Sequence, residues 1–404
     1  MDPILVISAR SSSIKYDVFA VSRDGFTQRE IRGRIDGIGS RRRFRAVDAN
    51  GRTLADRAYP VDNVRDIPAA LKVAGTWLCE EMGIVPKAVG HRVVHGGPDF
   101  DRPVVVDHSV ISKLEKFMSL APLSQASSLV PLRLLLSEWP SILQVACFDT
   151  AFHREHGPLA DCYAIPRELY AQGIRRYGFH GLSCEYIIKA LAKVAPEFAR
   201  KRIIVSHLGH DASMCAIQNG CSVESTMGFS TLDGIPMGTR PGQLDPGAVL
   251  YLLLENGMSA VEVQKLLHQG CGLKGLSGIS GSMQELEASD DPYAMFAVEY
   301  FAYKAALSAG MLVSALQGLD AFVFTGGIGA NSAHVRSRIM QRLAWLGISL
   351  DHEKNTLRAQ RISSRDSRAA VFVIPADEEA MIAEHTSEIV FKTQLRDMKR
   401  EWLS

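Results

Sequence analysis

Residues 227–247, MGFSTLDGIPMGTRPGQLDPG, hold one arginine, Arg240, in a segment rich in glycine and proline. Glycine and proline disfavour both a regular helix and a central strand, so this segment is predicted to be a shaped loop. The guanidinium is a planar, permanently charged fork of N–H donors, which suits a carboxylate or a phosphate. The alternative is that Arg240 forms an ion pair with a structural aspartate.

Other small-residue loops could hold a polyphosphate, because glycine lets backbone N–H groups approach phosphate oxygens. The candidates are Ser11, Ser12, Ser13 and Lys15, then His207 and Gly209, then Gly326, Gly327 and Gly329. Each loop taken alone could be an ordinary turn. The pattern GxxxxGK[ST] is absent, so the chain is not a P-loop kinase.

Two of these loops connect apolar runs of strand length. Residues 4–7 and 14–19 predict one hairpin, and residues 203–208 and 213–217 predict a second with the same layout. A unit repeated about 200 residues later in the chain suggests two like domains.

Strands and helices alternate along the rest of the chain, as in α/β proteins. Asp66 as N-cap and Gly83 as a stop predict a helix over 66–82. Apolar runs predict strands at 142–148, 322–324 and 371–374, a buried helix at 292–318, and a helix from 377 to about 389.

Composition excludes several classes of protein. The net charge of +1 over 404 residues indicates no nucleic-acid partner, and no apolar run reaches the ~20 residues that span a bilayer. The seven cysteines form no CxxC pair, which fits reduced thiols in a cytoplasm. No signal peptide is predicted, and the basic run at 41–45 is predicted to be a solvated loop.

Nine segments resemble, in order, the motifs of the acetate kinase family (acetokinases, including propionate and butyrate kinases). They are ISARSSSIKYDVF at 7–19, GHRVVHGG at 90–97, APLS at 121–124, FDTAFH at 148–153, YGFHGLS at 177–183, HLGHDAS at 207–213, the loop at 227–247, FTGGIGAN at 324–331 and DEE at 377–379. The match runs from about residue 4 to about residue 386. Motifs in the right order are far more specific than one glycine-rich loop.

The resemblance implies an α/β fold with two duplicated domains of the acetate and sugar kinase/actin-like superfamily, with ribonuclease H-like folds around a central cleft. Residues 1–150 with 387–404 would form the N-terminal actin-like domain, and 151–386 the C-terminal, nucleotide-binding one. The family also implies a homodimer, and a reversible, direct in-line phosphoryl transfer from ATP to a short-chain carboxylate.

Site residues follow from the same resemblance. The catalytic residues would be Arg92, Asp149, His180 and Arg240. The arginines would clamp carboxylate and phosphoryl oxygens, His180 would stabilise the transferring charge, and Asp149 would orient Arg240 or contact the transferred group. The substrate pocket would be lined by Arg92, Val94, Leu123, Phe179 and Thr231.

ATP and Mg²⁺ are also implied. The nucleotide would contact Ser12, Lys15, His207, Leu208, Gly209, Ser282, Met283, Gln284, Gly326, Gly327, Ile328, Gly329 and Asn331. Glu378, through water, and Ser8 would serve the metal, since magnesium takes hard oxygen ligands.

Several positions depart from the family pattern. The replacements are Ser8 for Asn, Arg10 for Gly, Ser124 for His, Thr231 for a common Pro, Gln243 for an acid, Ala330 for Glu, Asp211 within HLGHD, and 281–285 without the usual Asp and Arg. Arg10 could clash or pair with phosphates, at a position where the backbone could need a positive φ. Asp211 would add negative charge near the β-phosphate.

These departures leave three hypotheses. The leading one is a magnesium-dependent kinase acting on a short-chain carboxylate with ATP. The second is a weakly active relative that binds a small acid or nucleotide and acts through a partner. The third is a carboxylate kinase with another phosphoryl donor, such as pyrophosphate.

Overall fold

The computed structural model describes residues 2–22, 27–38 and 42–403, without the side chains of residues 61, 62, 122, 123 and 394–403. The chain divides into two compact units. Unit 1 comprises Met1–Ala151 and Asp377–Ser404, and unit 2 comprises Phe152–Ala376.

The strands of the described residues are β1 Asp2–Arg10, β2 Ser13–Val21, β3 Thr27–Asp36, β4 Arg42–Asp48, β5 Thr53–Tyr59, β6 Ala88–Val93, β7 Val104–Val105, β8 Leu143–Phe148, β9 Ile203–Leu208, β10 Ala212–Gln218, β11 Cys221–Ser225, β12 Ala321–Thr325 and β13 Ala370–Val373.

The α-helices of the same residues are α1 Ile67–Thr76, α2 His108–Lys116, α3 Pro122–Glu138, α4 Pro158–Asp161, α5 Arg167–Ala171, α6 Gly181–Val194, α7 Pro246–Leu254, α8 Ala260–Gln269, α9 Gly272–Ser277, α10 Met283–Glu287, α11 Pro292–Leu316, α12 Gly326–Asn331, α13 Ala333–Arg342, α14 His352–Thr356 and α15 Glu378–Leu403. A π-helical segment spans Trp77–Glu81, and 3₁₀ turns span Val61–Val64, Phe117–Ser119, Ala151–His153, Pro196–Phe198 and Ala344–Leu346.

The sheet of unit 1 has the strand order β5-β4-β3-β2-β1-β6-β8-β7. Strand β1 is antiparallel to β2 and parallel to β6, which is in turn parallel to β8. This confirms the first predicted hairpin and the predicted strand at 142–148. Helix α15 packs against β1, β6 and β8, so it belongs to this unit although it follows unit 2 in the sequence.

The sheet of unit 2 repeats that plan with the order β11-β10-β9-β12-β13. Strand β9 is antiparallel to β10 and parallel to β12, which is parallel to β13. Five consecutive strands of each sheet, β3-β2-β1-β6-β8 and β11-β10-β9-β12-β13, therefore have the same order and directions. The second predicted hairpin and the duplicated architecture are confirmed.

Burial explains which helices sit deepest. Helix α11 has buried alanines along one side, with Phe301 fully buried among them, as its alanine-rich sequence predicts. Central strands β9 and β12 are apolar and almost entirely buried, as expected for parallel strands covered on both faces. No described helix is long and apolar enough to cross a membrane.

Some local predictions were wrong. Residues 42–45 of the basic run lie in strand β4 rather than in a loop, because alternate residues such as Phe44 and Ala46 are buried; residue 41 lies outside the described residues. The run at Gly326–Asn331 is a short helix despite its glycines, because strand and helix packing overrides propensity. The final helix continues to Leu403, beyond the predicted end near 389. The helix at Asp66 begins as predicted but turns π-helical from Trp77.

Candidate functional site

One face of the unit 1 sheet collects predicted site residues, because side chains alternate along strands. Ser8 of β1 lies directly opposite Lys15 of β2. Strand β6 runs parallel to β1 with Ile7 beside His91, so Arg92 follows on the Ser8 face. Arg92 in turn aligns with Cys147, and Asp149, two residues later, keeps that side. The strand period thus brings Ser8, Lys15, Arg92 and Asp149 to one face.

Arg92 and Asp149 form a buried ion pair at the ends of β6 and β8. Arg92 is 8% exposed and Asp149 1%. The Nε of Arg92 donates to Oδ1 of Asp149 at 3.1 Å, and Nη2 donates to Oδ2. Glu378 adds a second carboxylate, with its Oε2 3.5 Å from Nε of Arg92. Two parallel N–H···O bonds fix the plane of the guanidinium as well as its position.

Burial sets the protonation behaviour of this pair. It raises the pKa of Asp149, and the negative charge of Glu378 raises it further, whereas the Arg92 and Arg10 guanidinium groups oppose the shift. Burial alone would lower the pKa of Arg92, but the charges of Asp149 and Glu378 raise it above its ordinary value. Arg92 therefore keeps its positive charge throughout the physiological pH range.

The three acids at the start of α15 each meet a different cation. Asp377 accepts from both Nη atoms of Arg29, one at 2.7 Å. Glu378 contacts Arg92, and Glu379 lies 3.4 Å from Nζ of Lys15. Asp377 also caps the helix by accepting from the backbone N–H of Ala380 at 3.0 Å.

The predicted phosphate hairpin is a tight turn at the end of β1. Ser12 is exposed and its carbonyl accepts from the N–H of Ile38 at 3.0 Å. Arg10 pairs in register with Ser13 inside the hairpin, and its φ is not positive. The expectation that the backbone at residue 10 could need a positive φ is therefore wrong.

The rest of the substrate set in unit 1 lies in and after β6. Val94 is buried directly beyond that strand. The side chain of Leu123 lies outside the described residues, and the half-buried Ser124 follows it in α3. Gln125, which sequence reasoning did not select, accepts from the N–H of His95 and donates to its carbonyl, both within 3.0 Å. Gln125 thereby holds the segment that follows Arg92.

In unit 2, His180 stands at the N-terminal boundary of α6 in the left-handed backbone region, with φ 58°. That conformation is uncommon outside glycine and is often found at functional sites. Its Nδ1 lies 2.8 Å from the hydroxyl of Ser213, and its ring stacks on His207 with centroids 4.3 Å apart. Nδ1 of His207 lies 2.8 Å from the hydroxyl of Ser183. Two predicted site residues are therefore held together by serines.

Phe179 is buried beside His180, and a histidine fixes its backbone. Nε2 of His153 donates to the Phe179 carbonyl at 2.9 Å, and Nδ1 lies 2.9 Å from the hydroxyl of Ser222. Thr231 is half-buried in the loop that runs from residue 226 to Asp245. This irregular segment confirms the loop predicted around Arg240.

Arg240 has few partners for a guanidinium. Its Nη1 lies 3.1 Å from Oδ1 of Asp211 and 3.9 Å from the sulfur of Met237. Its Nε is buried with no hydrogen-bond partner among the described residues. Asp211 is thus the aspartate partner that the alternative interpretation of Arg240 expected. Other N–H donors of the guanidinium remain for an oxyanion.

Unit 2 contains a cavity of about 610 Å³, within the usual range of ligand pockets. Seven predicted nucleotide residues line it: Gly209, Ser282, Met283, Gln284, Gly327, Ile328 and Asn331. The lining also includes His210 and Gly281, which belong to the motif segments at 207–211 and 281–285. Glu287, Ser332 and Arg358 line it as well, and sequence reasoning did not assign them to the nucleotide.

Other predicted nucleotide residues support this cavity without lining it. The Leu208 side chain is fully buried, so only its backbone is available to a ligand. Gly326 has φ 74°, and a Cβ there would lie 2.6 Å from the carbonyl oxygen of Leu208. Glycine is therefore required where α12 leaves β12. Gly329, which is buried in α12, and His207 are likewise not among the lining residues.

The sequence pointed to Asp377 but not to Arg358. Asp377 belongs to the DEE motif, so its position could be selected from the sequence, whereas its partner Arg29 could not. Arg358 gave no signal, since a lone arginine after a charged helix is ordinary. Its Nη1 donates to Oδ1 of Asn331 at 2.9 Å, and its φ is 53°.

No group of three or more His, Cys, Asp or Glu side chains in the described part of the chain could hold a metal by itself. Magnesium at phosphate sites typically uses one or two carboxylates together with substrate oxygens and water. Asp149 and Glu378 supply hard oxygens; burial is the main cause of the raised pKa of Asp149, and the negative charge of Glu378 adds a repulsion that a cation would relieve. The donors at this place therefore fit Mg²⁺.

Comparisons with known proteins cover almost the whole chain. The model of the acetokinase family matches residues 3–384. The acetate kinase of Nitrobacter hamburgensis is 58% identical over 404 residues, covering 100% of both chains. The acetate kinase of Rhizobium meliloti is 52% identical over 390 residues, which are 96% of this chain and 99% of that protein.

Solved structures of a propionate kinase and an acetate kinase are similar to this chain over most of its length. A propionate kinase from Francisella tularensis has a TM-score of 0.89 at 32% identity, covering 96% of this chain and 100% of its own. The acetate kinase of Porphyromonas gingivalis has a TM-score of 0.86 at 30% identity, with the same coverage. These likenesses confirm the expected α/β fold of the acetate and sugar kinase/actin-like superfamily.

Proposed function

The chain belongs to the acetokinase family, and from this premise we propose that it transfers a phosphoryl group reversibly between ATP and acetate. The full-length match carries the proposal, and the arginines, carboxylates and cavity described above support it. The enzyme is a carboxylate kinase whose products in this direction are ADP and an acyl phosphate.

Binding and charge neutralisation supply most of the catalysis in phosphoryl transfer, so the enzyme needs fixed cations more than a nucleophile. Arg92 in unit 1 binds oxygens of the carboxylate or of the transferring group. Asp149 holds its guanidinium plane through paired hydrogen bonds. Transfer is direct and in line, without a covalent enzyme intermediate.

In unit 2, Arg240 offers its unused donors to the same class of oxyanion, and His180 stabilises charge on the phosphoryl group. The restrained position of His180, stacked on His207 and held by Ser213, supports this role. The family resemblance assigns contact with the acyl chain to Val94 and Leu123 in unit 1 and to Phe179 and Thr231 in unit 2.

The nucleotide occupies the unit 2 cavity. Gly209, Gly327 and residues 282–284 line this cavity. The glycines would let backbone approach the phosphates, and 282–284 would contact the nucleotide. Ser12 and Lys15 of the unit 1 hairpin, with Gly326, Gly329, His207 and Leu208 of unit 2, complete the predicted set. Asn331 lines the cavity and carries Arg358 as a hydrogen-bonded neighbour.

Mg²⁺ would be held by Glu378, through water, with Ser8 nearby on the same sheet face. When bound it supplies positive charge to the phosphate oxygens. Glu378 keeps this role open because its side chain is 16% exposed, unlike that of Asp149.

We propose further that units 1 and 2 are the two domains of the duplicated fold. The protein forms a homodimer, supported by exposed apolar side chains that recur on one helix, α11, at Phe296, Tyr303, Leu307 and Met311. A cytoplasmic location is supported by seven free cysteines.

Acyl phosphate trapped with hydroxylamine tests the function. Acetate, propionate and butyrate are assayed in parallel, each with ATP-Mg²⁺ and with pyrophosphate-Mg²⁺. We expect turnover with ATP and acetate. Turnover with pyrophosphate alone would favour another donor, and nucleotide binding without turnover by any pair would favour a binding role. No specific observation favours either alternative.

A further inference from the structure

Asp211 sits between β9 and β10, at a position where the sequence departs from the family motif. Its Oδ1 lies 3.1 Å from Nη1 of Arg240. Both groups are largely shielded, with side chains 25% and 17% exposed. An ion pair at this distance with little water around it is stronger than a typical surface pair.

The rest of the Arg240 guanidinium is not matched in the same way. Its Nε is buried without a hydrogen-bond partner among the described residues, and its only other polar contact there is the sulfur of Met237 at 3.9 Å. An unmet buried N–H is costly, so an oxyanion that binds this edge gains a strong, charge-assisted hydrogen bond.

Asp211 changes the net charge that an anion encounters at Arg240. Arg240 alone would present a positive charge, whereas the Arg240–Asp211 pair has a net charge close to zero. His268 adds no compensating charge at neutral pH, because burial and the charge of Arg240 lower its pKa. An anion that binds the unmatched edge of the guanidinium therefore lies beside the carboxylate at Nη1, and the two negative charges repel each other.

We propose that Asp211 is a resident counter-ion of Arg240, competing with the anionic substrate and thereby raising the KM for the carboxylate. This rests on the proposed role of Arg240. The competition weakens ground-state binding without removing any group from the reacting atoms, so kcat should hardly respond.

Asp211→Asn should lower the KM for acetate roughly three- to tenfold, with kcat within about twofold, which is the scale of a partly shielded ion pair. Asp211→Glu keeps the charge and should restore a KM close to that of the wild type. Asp211→Gly removes the charge without an amide and should behave like the asparagine variant.

The matched control is Asp233→Asn, in the same loop as Arg240 but 3.6 Å from Arg176 instead. Its KM should stay within twofold of wild type. A second readout avoids turnover altogether: calorimetry with inorganic sulfate should give tighter binding to Asp211→Asn than to wild type, and this gain should vanish when Arg240→Ala is added.

A raised KM or a collapse of kcat in both neutral variants of Asp211, with the fold retained by thermal unfolding, would overturn the proposal and make Asp211 a positioning group. An unchanged KM and unchanged sulfate affinity would also overturn it. If Arg240→Ala keeps wild-type activity, the assigned role of Arg240 fails instead, so the two failures are distinguishable.

Discussion

Replacing Asp149 by asparagine removes one charge from a deeply buried ion pair of unit 1 while keeping the shape of the side chain. Arg92 is then left 8% exposed with one amide oxygen in place of a carboxylate, and with Glu378 at 3.5 Å as its remaining acid. The change tests two separate properties of the pair, its stability and its orientation of the guanidinium.

The cost in stability follows from burial. Removing one partner of a buried pair costs about 3–5 kcal/mol, and the retained amide oxygen and Glu378 favour the lower end, about 3 kcal/mol. For a domain of this size, the melting temperature falls about 2–4 °C per kcal/mol, which gives roughly 6–12 °C. Asp56→Asn is the control, because that acid makes an exposed bidentate pair with Arg43 and should cost at most about 1 kcal/mol.

The loss of catalytic activity is a separate effect of the same substitution. An oriented charge lost from a phosphoryl-transfer site lowers kcat by roughly 10²–10³-fold. Replacing both partners, Arg92→Met with Asp149→Leu, separates the two effects. Apolar isosteres of a buried pair are often neutral or stabilising. We therefore expect the double variant to recover its melting temperature but not its activity.

Thermal unfolding and hydroxylamine trapping measure these quantities. Because burial raises the pKa of Asp149, the wild type should lose kcat/KM as pH falls through that raised pKa and the carboxylate protonates, and Asp149→Asn should lack this limb. A variant with wild-type melting temperature and activity would refute the reasoning. So would a double variant that is active.

Two further predictions concern unit 2. Burial alone would raise the pKa of Asp161, but hydrogen bonds from Tyr170 and His156 hold this pKa below its ordinary value. The ionised carboxylate therefore adds to the free energy of unfolding above about pH 4, and this contribution is lost as the pH falls further. Asp161→Asn should cost about 3 kcal/mol at pH 7 by chemical denaturation, with the difference shrinking below pH 4, and a difference independent of pH would contradict this. Arg358→Ala should weaken ATP binding roughly three- to tenfold by calorimetry, since it removes a cation from the cavity lining, whereas Arg342→Ala, outside that lining, should not. Equal affinities for the two variants would contradict the assignment of the cavity.

Strand patterns made much of the fold predictable. The two hairpins, the strand at 142–148 and the long helix 292–318 are each specified by local apolar runs and caps, and they appear as expected. The strand at the basic run was not predicted, because the charged residues on the exposed face of β4 drew attention away from the alternating buried residues. Tertiary packing, rather than propensity, also decided the helical state of Gly326–Asn331.

Pairings across long sequence separations were not predictable from residue types. Nothing local indicates that Asp377 meets Arg29, or that Asp211 meets Arg240, since each pairing depends on how distant elements pack. Arg92 and Asp149 were identified individually through the family motifs. Their mutual hydrogen bonds follow only from the register of β6 with β8.

The central claim is that fixed arginines carry phosphoryl transfer to acetate, and the turnover of Arg240→Ala beside wild type tests it most directly. With ATP-Mg²⁺ and acetate, we expect kcat/KM to fall by at least roughly 10²-fold, while the dissociation constant for ATP, the melting temperature and the elution volume stay near wild type. An Arg240→Ala protein that turns over acetate at close to the wild-type rate would contradict the account.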